Sequence, residues 1–270
     1  MVSCDDFKEM TGRKVFPKII IDNVIFEGPV HLPAAALEEL VASIKQHPLD
    51  GDPNWLDEIE EVVLRGTWQD NGYFRAEVSG KSLLLGGDAN FQHYSVTFHV
   101  DEGFQYRVGK MSFRPSDPED PLPFTPEELR KLIPLEEGDI LTATGIRAGL
   151  DALKVLYGAK GYIDFAAEPE IDVNVVDRVV SIHFVLNQQK QFRIRQITVC
   201  GSNPKFESLM KSKIKSGDAF NYSEIQDFFE KHQSALGGHL GSEKVVYRRD
   251  VKNGTVDIGV PLRNCPLSQD

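Results

Sequence analysis

The residues of this chain whose types could do chemistry are seven histidines, three cysteines and several acidic pairs. His31, His47, His93, His99, His183, His232 and His239 are scattered, with no HxxxH or HxH spacing to bring two imidazoles onto one metal. His99 and His183 fall on strand faces. Cys4, Cys200 and Cys265 show no CxxC spacing, so zinc and dithiol redox chemistry are not expected, and at most one bridge can form. The GxSxG nucleophile elbow, the P-loop and the GxGxxG cradle are all missing. Gly86-Gly87 and Gly237-Gly238 read as turns, and Glu38-Glu39 and Glu60-Glu61 as solvated helix faces opposite apolar partners. Asn221-Tyr-Ser and Asn253-Gly-Thr match a glycosylation sequon, the second being sufficiently explained by a hairpin turn. No enzyme, cofactor or metal site is expected.

The scaffold that would have to position such groups has an ordinary globular composition. Of 270 residues, 41% are apolar and 26% charged, enough for two or three cores of roughly 70–130 residues each. No stretch approaches about 18 uninterrupted apolar residues, and the opening MVSCDDFKEMTGRK has no apolar core of a signal peptide. A net charge of −11 argues against phosphate-backbone binding. The charge is uneven: residues 190–263 carry 13 Lys and Arg against 8 Asp and Glu, whereas 1–189 carry 17 against 32.

Internal repetition is the strongest signal. A Gly-Asp turn recurs at Gly51-Asp52, Gly138-Asp139 and Gly217-Asp218, spaced by 87 and 79 residues, and Ile59, Ile146 and Ile225 each follow eight residues after the Gly. Gly72-Tyr73, Gly161-Tyr162 and Gly238-His239 come 13, 15 and 13 residues later, where a left-handed glycine stops a helix. Upstream, Ile21, Val24 and Phe26 match Val108, Met111 and Phe113 and then Ile194, Ile197 and Val199. The shared i, i+3, i+5 slip predicts a bulge in the first strand of each unit. Downstream, Ser95 to Val100 matches Ser181 to Leu186 at an offset of 86, and Val256, Ile258, Val260 and Leu262 repeat the alternation of a half-buried strand.

Each unit therefore reads strand, helix, helix, strand, strand. First helices carry Leu37, Leu40, Val41 and Ile44, then Leu129, Leu132 and Ile133, then Phe206, Leu209 and Met210. Second helices carry Ile59, Val62 and Val63, then Ile146, Leu150, Leu153 and Leu156, then Ile225, Phe228 and Phe229, with caps at Thr142–Thr144 and Asn221–Ser223. Short loops make the chain direction alternate, so the first and last strands run parallel and the last two form a hairpin, marked by Asn253-Gly254. Pro169, inside a second strand, belongs at an edge. The strand order is then 1-3-2, with strand 2 open. The fold class is α+β: three tandem units, each β-α-α-β-β with a three-stranded mixed sheet packed on two helices, over 17–103, 104–189 and 190–263, between tails 1–16 and 264–270. Connections between units are tight, and Pro115 to Pro126 is a loose, polyproline-like loop.

This tandem, with GD before the second helix, LKVLYGAKGYIDF and later SIHFVLNQQKQFRIRQITVCG, resembles the POTRA domains of the Omp85 (BamA/TamA-like, surface antigen D15) outer-membrane assembly family. The resemblance runs over roughly 17–263 and is strongest from Tyr106 to Gln188; its motifs are structural rather than catalytic. It implies a scaffold on the periplasmic face of the bacterial outer membrane that binds unfolded or extended polypeptides and accessory assembly proteins by β-augmentation, with no nucleic acid as partner. Omp85 proteins continue into a membrane barrel, for which no residues remain here, so the expected whole is a fragment whose own β-barrel is a further partner, or a stand-alone protein. The alternative is a division-type POTRA protein serving as a structural interaction module.

On that reading, the candidate peptide-binding edges are Phe165, Ala166 and Ala167 in the middle unit and Val245, Val246 and Tyr247 in the third. Lys205, Lys211, Lys213 and Lys215 are candidates to face anionic lipid headgroups or a barrel rim, as a peripheral membrane contact, each contributing on the order of 1 kcal/mol. Cys200 and Cys265 leave the last sheet at the same end if its strands 1 and 3 are parallel. A bridge between them would close a loop of about 65 residues, worth roughly 4 kcal/mol.

Overall fold

The computed structural model describes residues 16–46, 48–201, 204–232 and 245–261, apart from the Val62 side chain. Cys4, His47, Gly237, Gly238, His239, Leu262 and Cys265 lie outside the described residues. The strands are β1 (Lys18–Glu27), β2 (Leu49–Asp50), β3 (Glu77–Gly87), β4 (Phe91–Asp101), β5 (Arg107–Pro115), β6 (Ala166–Asn174), β7 (Val179–Asn187), β8 (Arg193–Cys200), β9 (Val246–Asp250) and β10 (Thr255–Pro261). The helices are α1 (Ala34–Lys45), α2 (Trp55–Glu58), which runs through a π-helical stretch at Ile59–Leu64 into α3 (Arg65–Asp70), α4 (Pro126–Arg130), α5 (Ala143–Ala159), α6 (Pro204–Lys213) and α7 (Tyr222–Lys231).

Three mixed sheets result, in the orders β2-β1-β4-β3, β5-β7-β6 and β8-β10-β9. Strand 3 of each repeat is central, as expected, and it runs parallel to strand 1 and antiparallel to strand 2 in the first and last sheets. Centrality follows from sequence: Val96, Phe98 and Val100, then Val180, Ile182, Phe184 and Leu186, then Val256, Ile258 and Val260 are all buried. Each contributes about 1.5–3 kcal/mol by leaving water. The anticipated bulge is present where the register is defined: β1 skips Asp22 between Ile21 and Asn23 against β4, and β8 skips Arg195 between Ile194 and Gln196 against β10.

Three details differ from the sequence reading. The first sheet has a fourth strand, β2, and the first helix of the middle repeat is only Pro126–Arg130, because Pro126 at its start and a Thr125–Glu128 capping box begin it while Pro134 soon follows. The Pro115–Pro126 loop is also pinned: the buried Gln188 donates through Nε2 to the Pro121 carbonyl at 3.2 Å, and Ser116 N–H donates to Leu186 O at 2.8 Å.

The chain divides into two compact units. Described residues of one lie within 16–110, 135–146 and 172–181, and those of the other within 111–134, 147–171 and 182–261. The first has a core of Ile19, Ile21, Leu40, Leu64, Trp68 and Phe98. In the second, Tyr157 stacks on Phe165 at 3.9 Å and meets Phe124 edge-on at 4.9 Å, while Phe192, Phe206, Met210, Phe228, Phe229 and Ile258 form a further cluster.

The repeated glycines now have physical causes. Gly72 and Gly161 hold φ of 87° and 89° after their helices, and their carbonyls accept the amides of Tyr106 and Phe192, each at 2.8 Å. Gly138 and Gly217 both hold φ of 93°, a region that disfavours a side chain. Gly51 serves differently, since a Cβ there would lie 1.9 Å from the Pro17 carbonyl oxygen.

Candidate functional site

A strand without a neighbour presents unpaired backbone N–H and C=O groups, so the edges of the three sheets divide into closed and open ones. On the strand-1 side, the Gly-Asp segment folds back onto the sheet. Gly138 N–H donates to Val108 O at 2.8 Å and Val108 N–H to Asp139 O at 2.9 Å; Gly217 N–H donates to Ile194 O at 2.7 Å and Ile194 N–H to Asp218 O at 2.8 Å. Isolated bridges Arg107–Ile140 and Arg193–Ala219 extend the same contact. Arg107 and Arg193 donate to the Gly138 and Gly217 carbonyls at 2.7 and 3.0 Å. In the first repeat β2 takes this place, pairing Lys18 with Asp50 and Ile19 with Leu49. The aspartates shape the turn: Asp139 Oδ2 accepts Glu136 N–H at 2.7 Å and Asp218 Oδ2 accepts Lys215 N–H at 3.0 Å. One edge of each sheet is thereby occupied at its start by the chain's own turn.

The other edge ends on strand 2: β3, β6 and β9. Ala166 and Ala167 begin β6, with Pro169 exposed within it, and Val246 and Tyr247 begin β9, Val246 being 63% exposed. Phe165 and Val245 fall one residue before their strands and are both buried, so those two side chains belong to the core. Tyr247 is half-buried, packed edge-on against Phe220 and Tyr222 at 5.5 and 5.4 Å. Its hydroxyl is buried with no hydrogen-bond partner, and burial pushes its pKa up to about 12.

The sequence reading did not single out β3. This 11-residue edge carries Leu83, Leu84 and Leu85, all at least half exposed. The signal was present as an apolar triplet that breaks the alternation of a one-faced strand. Part of β3 is sealed from within, because Gly80 N–H donates to Glu60 Oε1 at 2.7 Å. A Cβ at Gly80 would lie 2.6 Å from that oxygen and 2.9 Å from the Phe98 ring, so glycine permits the close approach.

Lys205, Lys211, Lys213 and Lys215 are all exposed on or just after α6, and Lys211 Nζ lies 3.9 Å from Glu207. Cys200 ends β8 and is disulfide-bonded; Cys4 and Cys265 lie outside the described residues. Among the described residues no group of three His, Cys, Asp or Glu could hold a metal, and no helix is long and apolar enough to cross a membrane.

A chain of strand-helix-helix-strand-strand repeats with 1-3-2 sheets defines an architecture that comparison places among known folds. Residues 122–189 match the family model POTRA, surface antigen variable number repeat. The chain is similar to the solved POTRA3-5 fragment of BamA from Haemophilus influenzae, at 18% identity and a TM-score of 0.60, covering 91% of this chain and 96% of that one. Lesser likenesses are to BamA from Haemophilus ducreyi lacking POTRA domains 1-3, at 19% identity, 64% and 30% coverage and a TM-score of 0.46, and to POTRA1-3 of Omp85 from Anabaena, at 14% identity, 92% and 96% coverage and 0.41. The resemblance to tandem POTRA domains thus holds for the fold.

Proposed function

We propose that the chain is a periplasmic scaffold of an Omp85-type outer-membrane protein assembly or translocation system, built of three POTRA-like units at 17–103, 104–189 and 190–263, which holds client or accessory polypeptides by adding them as extra strands. The asymmetry of the sheet edges carries this reading. The Gly-Asp turn occupies the strand-1 side in the second and third repeats and β2 does so in the first, while the sheets end on β3, β6 and β9. An edge strand offers unpaired N–H and C=O groups whose pairing is indifferent to side-chain identity, which suits a site for many unfolded chains. Affinity is then low, because ordering the guest costs conformational entropy. A proline at Val246 removes one backbone donor from β9: a Val246→Pro protein with native circular dichroism should bind an extended probe peptide about tenfold more weakly or worse. Undiminished binding by that folded variant would remove β9 from the proposal.

Two subsidiary readings accompany this one. The exposed lysines 205, 211, 213 and 215 face anionic headgroups or a barrel rim, so co-sedimentation with vesicles should rise with phosphatidylglycerol content; flat binding would dismiss the contact. Cys200 pairs with Cys265, so a thiol titration of the unfolded, unreduced protein should find one free cysteine, Cys4, and blocking with peptide mapping should place the bridge across 200 and 265.

A further inference from the structure

A cleft of about 470 Å³ adjoins β9, lined by Tyr247 and Arg249 of that strand, Phe220 and Tyr222, and Val155 and Gly158 of α5. Its volume falls within the range of sites that enclose a compact ligand group, and its walls are mostly aromatic and aliphatic. Lys154, also on the lining, is exposed and has no ion pair among the described residues. Arg249 pairs with Asp164 and lies 4.8 Å over the Phe192 ring, which fixes its guanidinium at the rim. The cleft therefore combines an apolar interior with a rim carrying one cation more than its anions.

Tyr247 and Arg249 are two residues apart on an edge strand and share one face of it. A strand added alongside β9 turns alternate side chains to that same face, with cross-strand neighbours about 5 Å away. Resting on the strand-addition reading above, we propose that the cleft makes β9 selective: it accepts extended polypeptides in which a large aromatic side chain, seated in the cleft beside Tyr247, stands two residues from an acidic one that meets Lys154 and Arg249. The charge excess at the rim chooses the acidic neighbour, and the aromatic walls choose the aromatic guest. Main-chain pairing supplies indifferent affinity, and the cleft supplies the preference.

The test uses fluorescein-labelled peptides of about ten residues, long enough to span β9, carrying Phe-Thr-Glu, Ala-Thr-Glu or Phe-Thr-Lys at the centre of an otherwise identical strand-forming sequence, and read by anisotropy. A Phe-Thr-Glu peptide N-methylated at alternate amides reports on strand addition alone. The Phe-Thr-Glu peptide should bind about tenfold tighter than Ala-Thr-Glu and several-fold tighter than Phe-Thr-Lys, and N-methylation should abolish binding. Gly158→Leu fills the cleft where an added Cβ meets nothing within 4 Å. It should erase the preference for Phe, bringing Phe-Thr-Glu down to the level of Ala-Thr-Glu, and the uncharged Val155→Gln at an exposed position should do the same should the first variant fold poorly. If Phe and Ala peptides bind alike, or if both variants keep the preference, the cleft has no such role even though N-methylation still abolishes binding and strand addition stands. If the N-methylated peptide binds as well as its parent, or no peptide binds, strand addition at β9 fails and the selectivity falls with it.

Discussion

Glu102 and Gln188 carry an argument that begins with single residues. They stand 86 residues apart, at the end of the central strand in consecutive repeats, and both are buried. Each ties the loop between strand 1 and the first helix to the sheet. Glu102 accepts His31 N–H and Trp68 Nε1–H, both at 2.8 Å, and meets His31 Nδ1 at 2.7 Å, while Gln188 holds the Pro121 carbonyl. Both continue the in-phase series Val96, Phe98, Val100 and Ile182, Phe184, Leu186, so a polar side chain in a buried phase was visible in the sequence, but nothing there named its partners. Glu102→Ala leaves a buried indole N–H unpaired and should cost roughly 2–4 kcal/mol in urea unfolding. Glu60 offers a pH test. Desolvation raises its pKa, with Asp57 and Glu61 adding to the shift, against the lowering effect of the Gly80 amide. A carboxyl whose folded pKa is raised penalises the folded state at neutral pH, and the penalty fades as pH falls through the folded value toward the ordinary one. Glu60→Gln keeps an acceptor for Gly80 N–H without the charge. Its stability relative to the parent should therefore be greatest near neutral pH and shrink on acidification, and a difference that grew on acidification would refute the sign.

At the scale of elements, the Gly-Asp turn is the device that makes the sheets asymmetric. Its aspartate accepts the N–H three residues earlier, and its glycine carries the left-handed φ in the second and third repeats. Asp218→Ala should destabilise the protein by about 1 kcal/mol and raise amide exchange at Ile194, whose N–H donates to the Asp218 carbonyl; unaltered exchange there would separate the turn from edge closure. Much of this layer was legible beforehand. Repeat spacing located the turns, the phase slip located the bulges at Asp22 and Arg195, and Pro169 located an edge. What escaped depends on contacts made at a distance. Nothing in Leu49-Asp50 marks a strand until β1 lies beside it. The fate of Phe165 and Val245, one residue short of their strands, was decided by ring stacking on Tyr157 and by packing in the last cluster. The triplet Leu83–Leu85 breaks the alternation by which a half-buried strand is read, and its exposure follows only from the place of β3 at the end of the sheet.

For the molecule as a whole, the three sheets repeat one plan with different degrees of openness. β3 is long and apolar but partly sealed by Glu60, β6 carries a proline, and β9 is short and flanked by an aromatic cleft. On the strand-addition reading, graded edges on one chain would let different guests use different units. The central claim is that guests pair with the strand-2 edges through their backbone. Hydrogen exchange read by mass spectrometry, with and without a saturating extended peptide, tests it most directly. Protection should appear in 246–250, 166–174 or the 82–87 half of β3, while β1, β5 and β8 stay unchanged. Protection confined to helices or to the strand-1 side, at peptide concentrations that saturate binding, would contradict it.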